Sequence, residues 1–254
     1  MSIDFTREGR IATITLNRPN KMNAMTGEMY ADISKRLKEI DEDPDIWVGI
    51  ITGTGDRAFS AGADLAMEGR ASGTGGWSAY RPVRFDSGLE VQKPLIAAIN
   101  GYCLAGGLEL ALICDIRIAC REAQFGCPEV KWNLLHGYGA QKLPEIIGLS
   151  NAMYLLLTGD FIDANEALRL GLVQEVVPKE KVLERSRKLA GRICENGPMA
   201  VRMTKEMTLR SSDMTLADGL RLYREYSNQV FESEDMIEGT RAFVEKRKPV
   251  FKGR

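Results

Sequence analysis

One histidine, His136, has to serve a chain of 254 residues. That scarcity excludes a zinc or iron centre built on several imidazoles within one chain, and no metal is expected. The five cysteines, Cys103, Cys114, Cys120, Cys127 and Cys194, show no C-x-x-C spacing and are odd in number. Buried thiols in a reducing cytoplasm are the expectation. No apolar run approaches the length needed to cross a membrane. The first strand pattern begins near Ile11, so neither a membrane partner nor a signal or transit segment is expected. Charge of one sign is also lacking, with 34 Lys and Arg against 35 Asp and Glu. That balance gives no support for nucleic-acid binding, although it permits the local basic patch an acidic ligand needs. What remains, 44% apolar and 27% charged, is ordinary for a globular protein of one large domain or a domain with a small appendage.

The segment "RIATITLNRP" places Ala12, Ile14 and Leu16 on one side and stops at Pro19, which predicts a strand. Met29, Ile33, Leu37 and Ile40 have helical spacing, and that helix must end before Pro44. "IWVGIITGTG" reads as a buried strand entering a glycine turn, and "KPLIAAING" repeats the design with an Asn-Gly turn. A helix follows in "CLAGGLELAL", where Leu104, Leu108 and Leu112 recur as on one face, and then a short strand in "CDIRIA". Helical stretches lie near "GLSNAMYLLLTG" and "DANEALRLGL", the second with Asp163 as N-cap and Glu166 three residues on. "VQEVVP" is a further strand, and from Lys179 the pattern is helical almost to the end. Strands alternating with helices predict an α/β domain with mostly parallel pairing. The reading divides the chain into a core over residues 1–195 and a helical packing or oligomerisation part over 196–254. "EGRASGTGGWSAYRP", residues 68 to 82, reads as a surface loop.

The chemistry rests on two small-residue turns and two carboxylates. "AFSAGADL" and "LAGGLEL" each follow a strand, and their Gly and Ala residues let backbone N–H groups approach a ligand. Gly106 and Gly107 would also stand at the N-terminus of the Glu109 helix, where amides are unpaired and the dipole favours negative charge. Brought together, such turns make an oxyanion hole. Taken alone, they are equally well plain turns in tight helix–strand packing. Glu109 sits in a run otherwise built for burial, where a carboxylate is costly unless it is used. Glu129, after Pro128 in "AQFGCPE", lies where the chain returns toward the same cleft. Two carboxylates in different environments divide acid and base roles. Read singly, Glu109 is a satisfied or exposed helix residue and Glu129 a solvated loop residue. Asp115 and Arg117 are expected to form a structural ion pair.

As an ordered set, "NRPNKMNAM", "FSAGADL", "KPLIAAINGYCLAGGLELALICDIRIA", "AQFGCPE", "LTGDFIDANEALRLGLV" and "AFVEKRKPVF" resemble the enoyl-CoA hydratase (crotonase) family over nearly the whole chain. The segment from Lys93 to Glu129 is the most specific part. The resemblance implies a crotonase-like spiral of ββα turns, with a C-terminal helical part that mediates trimers and, by pairing, hexamers. It implies an acyl-CoA thioester substrate and no separate cofactor. The thioester carbonyl would lie on the backbone N–H groups of Ala63 and Gly106, with Glu109 and Glu129 adding water to a 2-enoyl-CoA to give the 3-hydroxyacyl-CoA. By the same resemblance Arg18, Ala24 and Met25 would meet the pantetheine and phosphate end of CoA, Ala61, Asp64 and Leu65 the adenine region, and Phe243 and Lys246 the adenine end, often of a neighbouring subunit.

The sequence departs from the family after Glu129. Where hydratases commonly carry a segment of the type P-G-x-G-G-T, this chain reads "VKWNLLHGYGAQKLP", with Asn133 at a usual Gly and His136 at a usual Pro. Trp132, Asn133, His136 and Tyr138 are therefore candidates for the acyl pocket. His136 is a possible third polar group for a hydroxylated or carboxylated substrate, against its reading as a loop histidine with a backbone partner. The alternatives within the family are dehydration of a functionalised acyl-CoA, isomerisation, decarboxylation and thioester or C–C hydrolysis, and outside catalysis a CoA- or RNA-binding relative. "GTGDRA" fits a dinucleotide-binding pattern, but its continuation is a poor helix start. Ser60 lacks the G-x-S-x-G elbow of a serine hydrolase, and Cys127 would need His136 beside it to act as a nucleophile.

Overall fold

The computed structural model describes residues 2–65 and 90–254, and the loop expected over residues 68 to 82 lies outside them. The chain opens with β1 (Ile3–Glu8) and β2 (Ile11–Leu16), an antiparallel pair. In β2 the threonine between Ala12 and Ile14 is buried as well, because neighbours cover both faces. Helix α1 (Gly27–Glu42) starts where the Thr26 side chain accepts the Met29 N–H, and buries Met29, Tyr30, Ile33, Leu37 and Ile40. Those residues form the apolar stripe that pays for docking an otherwise polar helix.

Three turns of a spiral follow. β3 (Val48–Gly53) leads to β4 (Ala58–Ser60), β5 (Leu95–Ile99) to β6 (Tyr102–Leu104) and α2 (Gly106–Leu112), and β7 (Ile116–Cys120) to β8 (Gln124–Gly126). The first strand of each pair joins a six-stranded sheet, and the second joins a four-stranded one. The turn Asn100-Gly101 makes the crossing in the middle pair. There the Asn100 amide donates to the carbonyls of Gly53 and Gly55, both at 2.9 Å.

α3 (Tyr138–Ile147), α4 (Leu149–Thr158), β9 (Phe161–Asp163) and α5 (Ala164–Arg169) come next, and Asp163 caps α5 as expected by accepting the Glu166 N–H at 2.8 Å. β10 (Glu175–Val177) closes the large sheet in the order β1-β2-β3-β5-β7-β10, parallel throughout except for β1. α6 (Val182–Cys194) packs on that sheet. The last part holds α7 (Pro198–Arg210), α8 (Leu216–Phe231) and α9 (Glu234–Glu245). It is pinned to the core where Lys205 Nζ meets Asp115 at 2.8 Å and the Lys93 carbonyl at 2.9 Å.

Two local expectations need correction. Leu104 belongs to β6 and not to the helix of Leu108 and Leu112, and α2 is buried on every side rather than on one face. Asp115 and Arg117 do not pair. Asp115 accepts the Leu95 N–H at 2.7 Å and binds Lys205, while Arg117 donates to the carbonyls of Leu172 and Cys114, both at 2.6 Å. Each is claimed by a different part of the chain: Asp115, just before β7, by β5 and α7, and Arg117, within β7, by the carbonyls of Cys114 and Leu172.

Candidate active site

The site is built where β6 turns sharply into α2. Ala105 makes that corner with φ +52° and ψ −131°, a conformation that strains a residue with a Cβ by about 1–3 kcal/mol. Gly106 is the first residue of the helix, and its N–H has no acceptor within the helix. The segment after β4 meets it there. A Cβ on Gly62, whose φ is +90°, would stand 2.9 Å from the Gly106 nitrogen and 2.7 Å from the Ala105 Cβ. A Cβ on Gly106 would stand 3.7 Å from the Ala63 nitrogen. The Ala63 and Gly106 amides are thus neighbours across a gap that only glycine at position 62 permits.

The segment with Ala63 is held from the other side. Met25 forms a parallel bridge with Ala63, donating to the Gly62 carbonyl at 2.7 Å and accepting the Asp64 N–H at 2.9 Å. Buried Asn23 donates to the carbonyls of Thr54 and Ala58 at 3.0 and 2.7 Å, and its own carbonyl accepts from Ser60 Oγ. Neither Asn23 nor Ser60 stood out in the sequence, since a polar residue beside a turn looks solvated until the turn is buried.

The residues expected at CoA lie along this segment. Arg18 is engaged within the chain: it donates to the Ala24 carbonyl at 2.6 Å and forms an ion pair with Asp64 at 3.0 Å, both side chains largely covered. The Met25 side chain is wholly buried, with its methyl group near Gly106. Ala61 donates to the Met22 carbonyl, and Leu65 is exposed. Phe243 and Lys246 sit exposed at the far end of α9, Lys246 in the left-handed region at φ +54°.

Both carboxylates enter the same neighbourhood. Glu109 is buried one turn into α2, and a Cβ on Gly137 would stand 3.2 Å from its Oε1. Glu129 lies in the 3-10 turn Pro128–Trp132 after β8. Its Oε1 is 2.6 Å from His136 Nδ1, with the histidine side chain 2% exposed and the glutamate 13%. Residues 136 and 137 therefore stand between the two glutamates. Glu129 Oε2 and His136 Nε2 are buried without a hydrogen-bond partner among the described residues. The ring rests on Gly139 in the first turn of α3, where any Cβ would collide with Nε2.

Burial disfavours the charged form of His136, but the Cys127 thiol and the Glu129 carboxylate beside the ring outweigh it and raise its pKa to about 10. Burial pushes the Cys127 thiol up, opposed by the neighbouring His136. Of the four acyl-pocket candidates, only His136 joins the carboxylates. Trp132 and Asn133 are exposed on the chain, and Tyr138 is half-buried. Asn133 has φ +56° and ends the 3-10 turn, which explains an Asn where the family resemblance leads one to expect Gly.

Tyr30 was expected in no functional role. It is buried with its hydroxyl 2.5 Å from where a Gly106 Cβ would lie. In sequence it passes for one more apolar residue of the α1 stripe. Among the described residues no group of three or more His, Cys, Asp or Glu could hold a metal ion, and no helix is long and apolar enough to cross a membrane.

A family model described as "Enoyl-CoA hydratase/isomerase" matches residues 6–254. The chain is 38% identical over 258 residues to a crotonyl-CoA hydratase of Syntrophomonas wolfei, covering 98% of this chain and 97% of the other. It is 38% identical over 257 residues to an (E)-benzylidenesuccinyl-CoA hydratase of Thauera aromatica, covering all of both. The crystal structure of an enoyl-CoA hydratase from Bacillus anthracis superposes over the full length of both chains with a TM-score of 0.92 at 35% identity.

Proposed function

The chain belongs to the enoyl-CoA hydratase/isomerase family, and from that membership we infer that it is an enoyl-CoA hydratase, a hydro-lyase acting on acyl-CoA thioesters. The observation that carries the reading is the approach of buried Glu109 and largely covered Glu129 to the adjoining residues Gly137 and His136, beside a helix whose first amide neighbours that of Ala63.

In this reading the thioester oxygen accepts from the Ala63 and Gly106 N–H groups. One such donor contributes about 2.7–4 kcal/mol to a charged transition state. Polarised in this way, the 2-enoyl double bond takes water at Cβ. Glu109 accepts the proton of that water, and Glu129 delivers a proton to Cα through Oε2, the oxygen not engaged by His136. The sum of these steps is one water added across one double bond. CoA enters as part of the substrate, and no separate cofactor is required.

The Arg18–Asp64 pair makes the local contacts of the expected CoA segment firm, but it also leaves less free cation there than an unpaired arginine offers. We extend the reading to a homotrimer, or a hexamer of two trimers, in which residues 196–254 form the oligomerisation part. Support comes from α8, which buries no residue within the chain and exposes Leu216, Tyr223 and Phe231. A cytoplasmic setting fits the five free thiols.

The test is the loss of enoyl-thioester absorbance with crotonyl-CoA, then with longer, branched and ring-containing enoyl-CoAs. Formation of the 3-hydroxyacyl product from any of them is the expected result. Binding of CoA esters with no hydration across the panel would overturn the reading in favour of another reaction of the family. The second reading worth carrying is hydration of an acyl-CoA with a further polar group. It is favoured by the buried His136 beside Glu129, and by the likeness to a hydratase named for a benzylidenesuccinyl thioester.

A further inference from the structure

We propose that His136 and Glu129 form a proton-holding dyad, in which the imidazole positions the Glu129 carboxylate and holds the proton that Glu129 Oε2 passes to Cα. The proposal rests on the hydratase reading and deepens it.

The geometry is specific. His136 Nδ1 lies 2.6 Å from Glu129 Oε1, with the ring almost fully enclosed. The partnership uses one carboxylate oxygen and leaves Oε2 buried and without a partner among the described residues. A carboxylate oxygen so placed is costly unless a water or substrate completes it. The ring is confined, because it packs so close to Gly139 that a Cβ there would collide with Nε2 and Cδ2. The titratable groups facing the ring are Cys127 and Glu129 on the turn after β8, with Glu109 on α2 beside the adjoining Gly137. The first turn of α3 contributes Tyr138, whose phenol instead feels Lys142 and Glu145.

With two carboxylates close together, a second proton is needed if one of them is to act as an acid near neutral pH. The dyad holds that proton as imidazolium and carboxylate, or, with the same proton count, as a neutral imidazole still donating Nδ1–H to Oε1 and a carboxylic acid whose proton, passed from Nε2 through a water, sits on Oε2. In hydration Cβ gains the water oxygen, Glu109 takes the water proton, Cα gains the dyad proton, and the proton on Glu109 then recharges the dyad directly or through solvent. No oxidant or co-reactant is involved. A lone glutamate would hold such a proton only if burial raised its own pKa. Here the histidine shares the task, and the pair stays loaded over the pH range in which the ring remains protonated.

Because His136 is the only histidine in the sequence, its ring can be observed directly. The protein is made without a histidine tag, and the ring nitrogens are followed by 15N NMR across pH in the wild type and in Glu129→Gln. The expected wild-type ring is protonated at neutral pH and titrates well above an ordinary imidazole, and Glu129→Gln brings it down. A wild-type ring that titrates at or below the ordinary value, indifferent to position 129, overturns the dyad.

The kinetic arm uses His136→Gln, which keeps a donor for Glu129 but cannot hold a titrating proton. With whichever enoyl-CoA the wild type hydrates best, kcat should fall by about tenfold or more, KM should change by less than about threefold, and the alkaline limb of the kcat profile should move. A variant with wild-type kcat and an unchanged pH profile overturns the proposal. If the wild type hydrates no enoyl-CoA, the hydratase reading fails, while the ring titration still decides whether the pair exists.

Discussion

Glu109 and Glu129 differ in surroundings more than their matching chemistry suggests. Glu109 is enclosed within α2, and Glu129 shares one oxygen with His136. Their roles should therefore separate under substitution. We predict that Glu129→Gln lowers kcat by about a hundredfold or more, as expected for loss of a general acid–base group, while CoA-ester affinity stays within a few-fold. Steady-state kinetics with an active enoyl-CoA, paired with binding of the saturated ester, check this, and near-wild-type turnover would remove Glu129 from the chemistry. His136 also shapes stability. Its folded pKa of about 10 exceeds the ordinary 6.5, so its pairing energy is complete below the unfolded value and is lost as pH rises through the folded one. Denaturant midpoints measured from pH 6 to 10 should fall more for the wild type than for His136→Gln. Of these residues, the two glutamates were legible in the sequence, one as a charge in an apolar run and the other through family resemblance. The contact between Glu129 and His136 was not, because it depends on a loop path that no periodicity encodes.

At the scale of elements, the proposed oxyanion hole depends on a crossing of two turns. Gly62 stands at φ +90° with the Gly106 nitrogen and Ala105 Cβ close by. Gly62→Ala should cost about 1–3 kcal/mol of stability from backbone strain and move the Ala63 amide. The expected outcome is a lower melting temperature with a fall in kcat exceeding any rise in KM; unchanged kinetics would show that the two amides do not share an oxyanion. A contrasting change is Thr26→Ala. It removes the side chain that caps α1 and should cost about 1 kcal/mol, with kinetics of the folded enzyme little altered. The long elements were legible in the sequence: α1 from its stripe and Pro44, β3 and β5 from their apolar runs, α5 from Asp163. The short strands of the second sheet were not. Three residues are too few to display a period, and β4, β6 and β8 exist because they pair with one another.

At the scale of the whole molecule, the unresolved demand is the apolar surface of the C-terminal part. α8 has no buried residue, with Leu216 80% and Phe231 63% exposed. α8 half-buries Leu222, Tyr226 and Val230 against α7 and α9 but leaves Leu216, Tyr223 and Phe231 exposed, and apolar surface of that kind calls for a partner. Analytical ultracentrifugation should find trimers or hexamers at micromolar concentration, and Phe231→Glu should weaken them. A wild type that stays monomeric would remove the oligomer from the proposal.

The amino-acid sequence by itself determined the class of fold, the order of its long elements and the residue types of the site, because burial periodicity, capping and turn chemistry are local. It also determined that a metal centre of several histidines is excluded. Only the tertiary structure decided which of those residues meet. It paired Arg18 with Asp64, sent Asp115 to Lys205 instead of Arg117, left Trp132 and Asn133 outside, and set His136 on Glu129. The reason is physical: each pairing joins different segments of the chain, and the distance between them is set by how those segments pack and not by the periodicity of either.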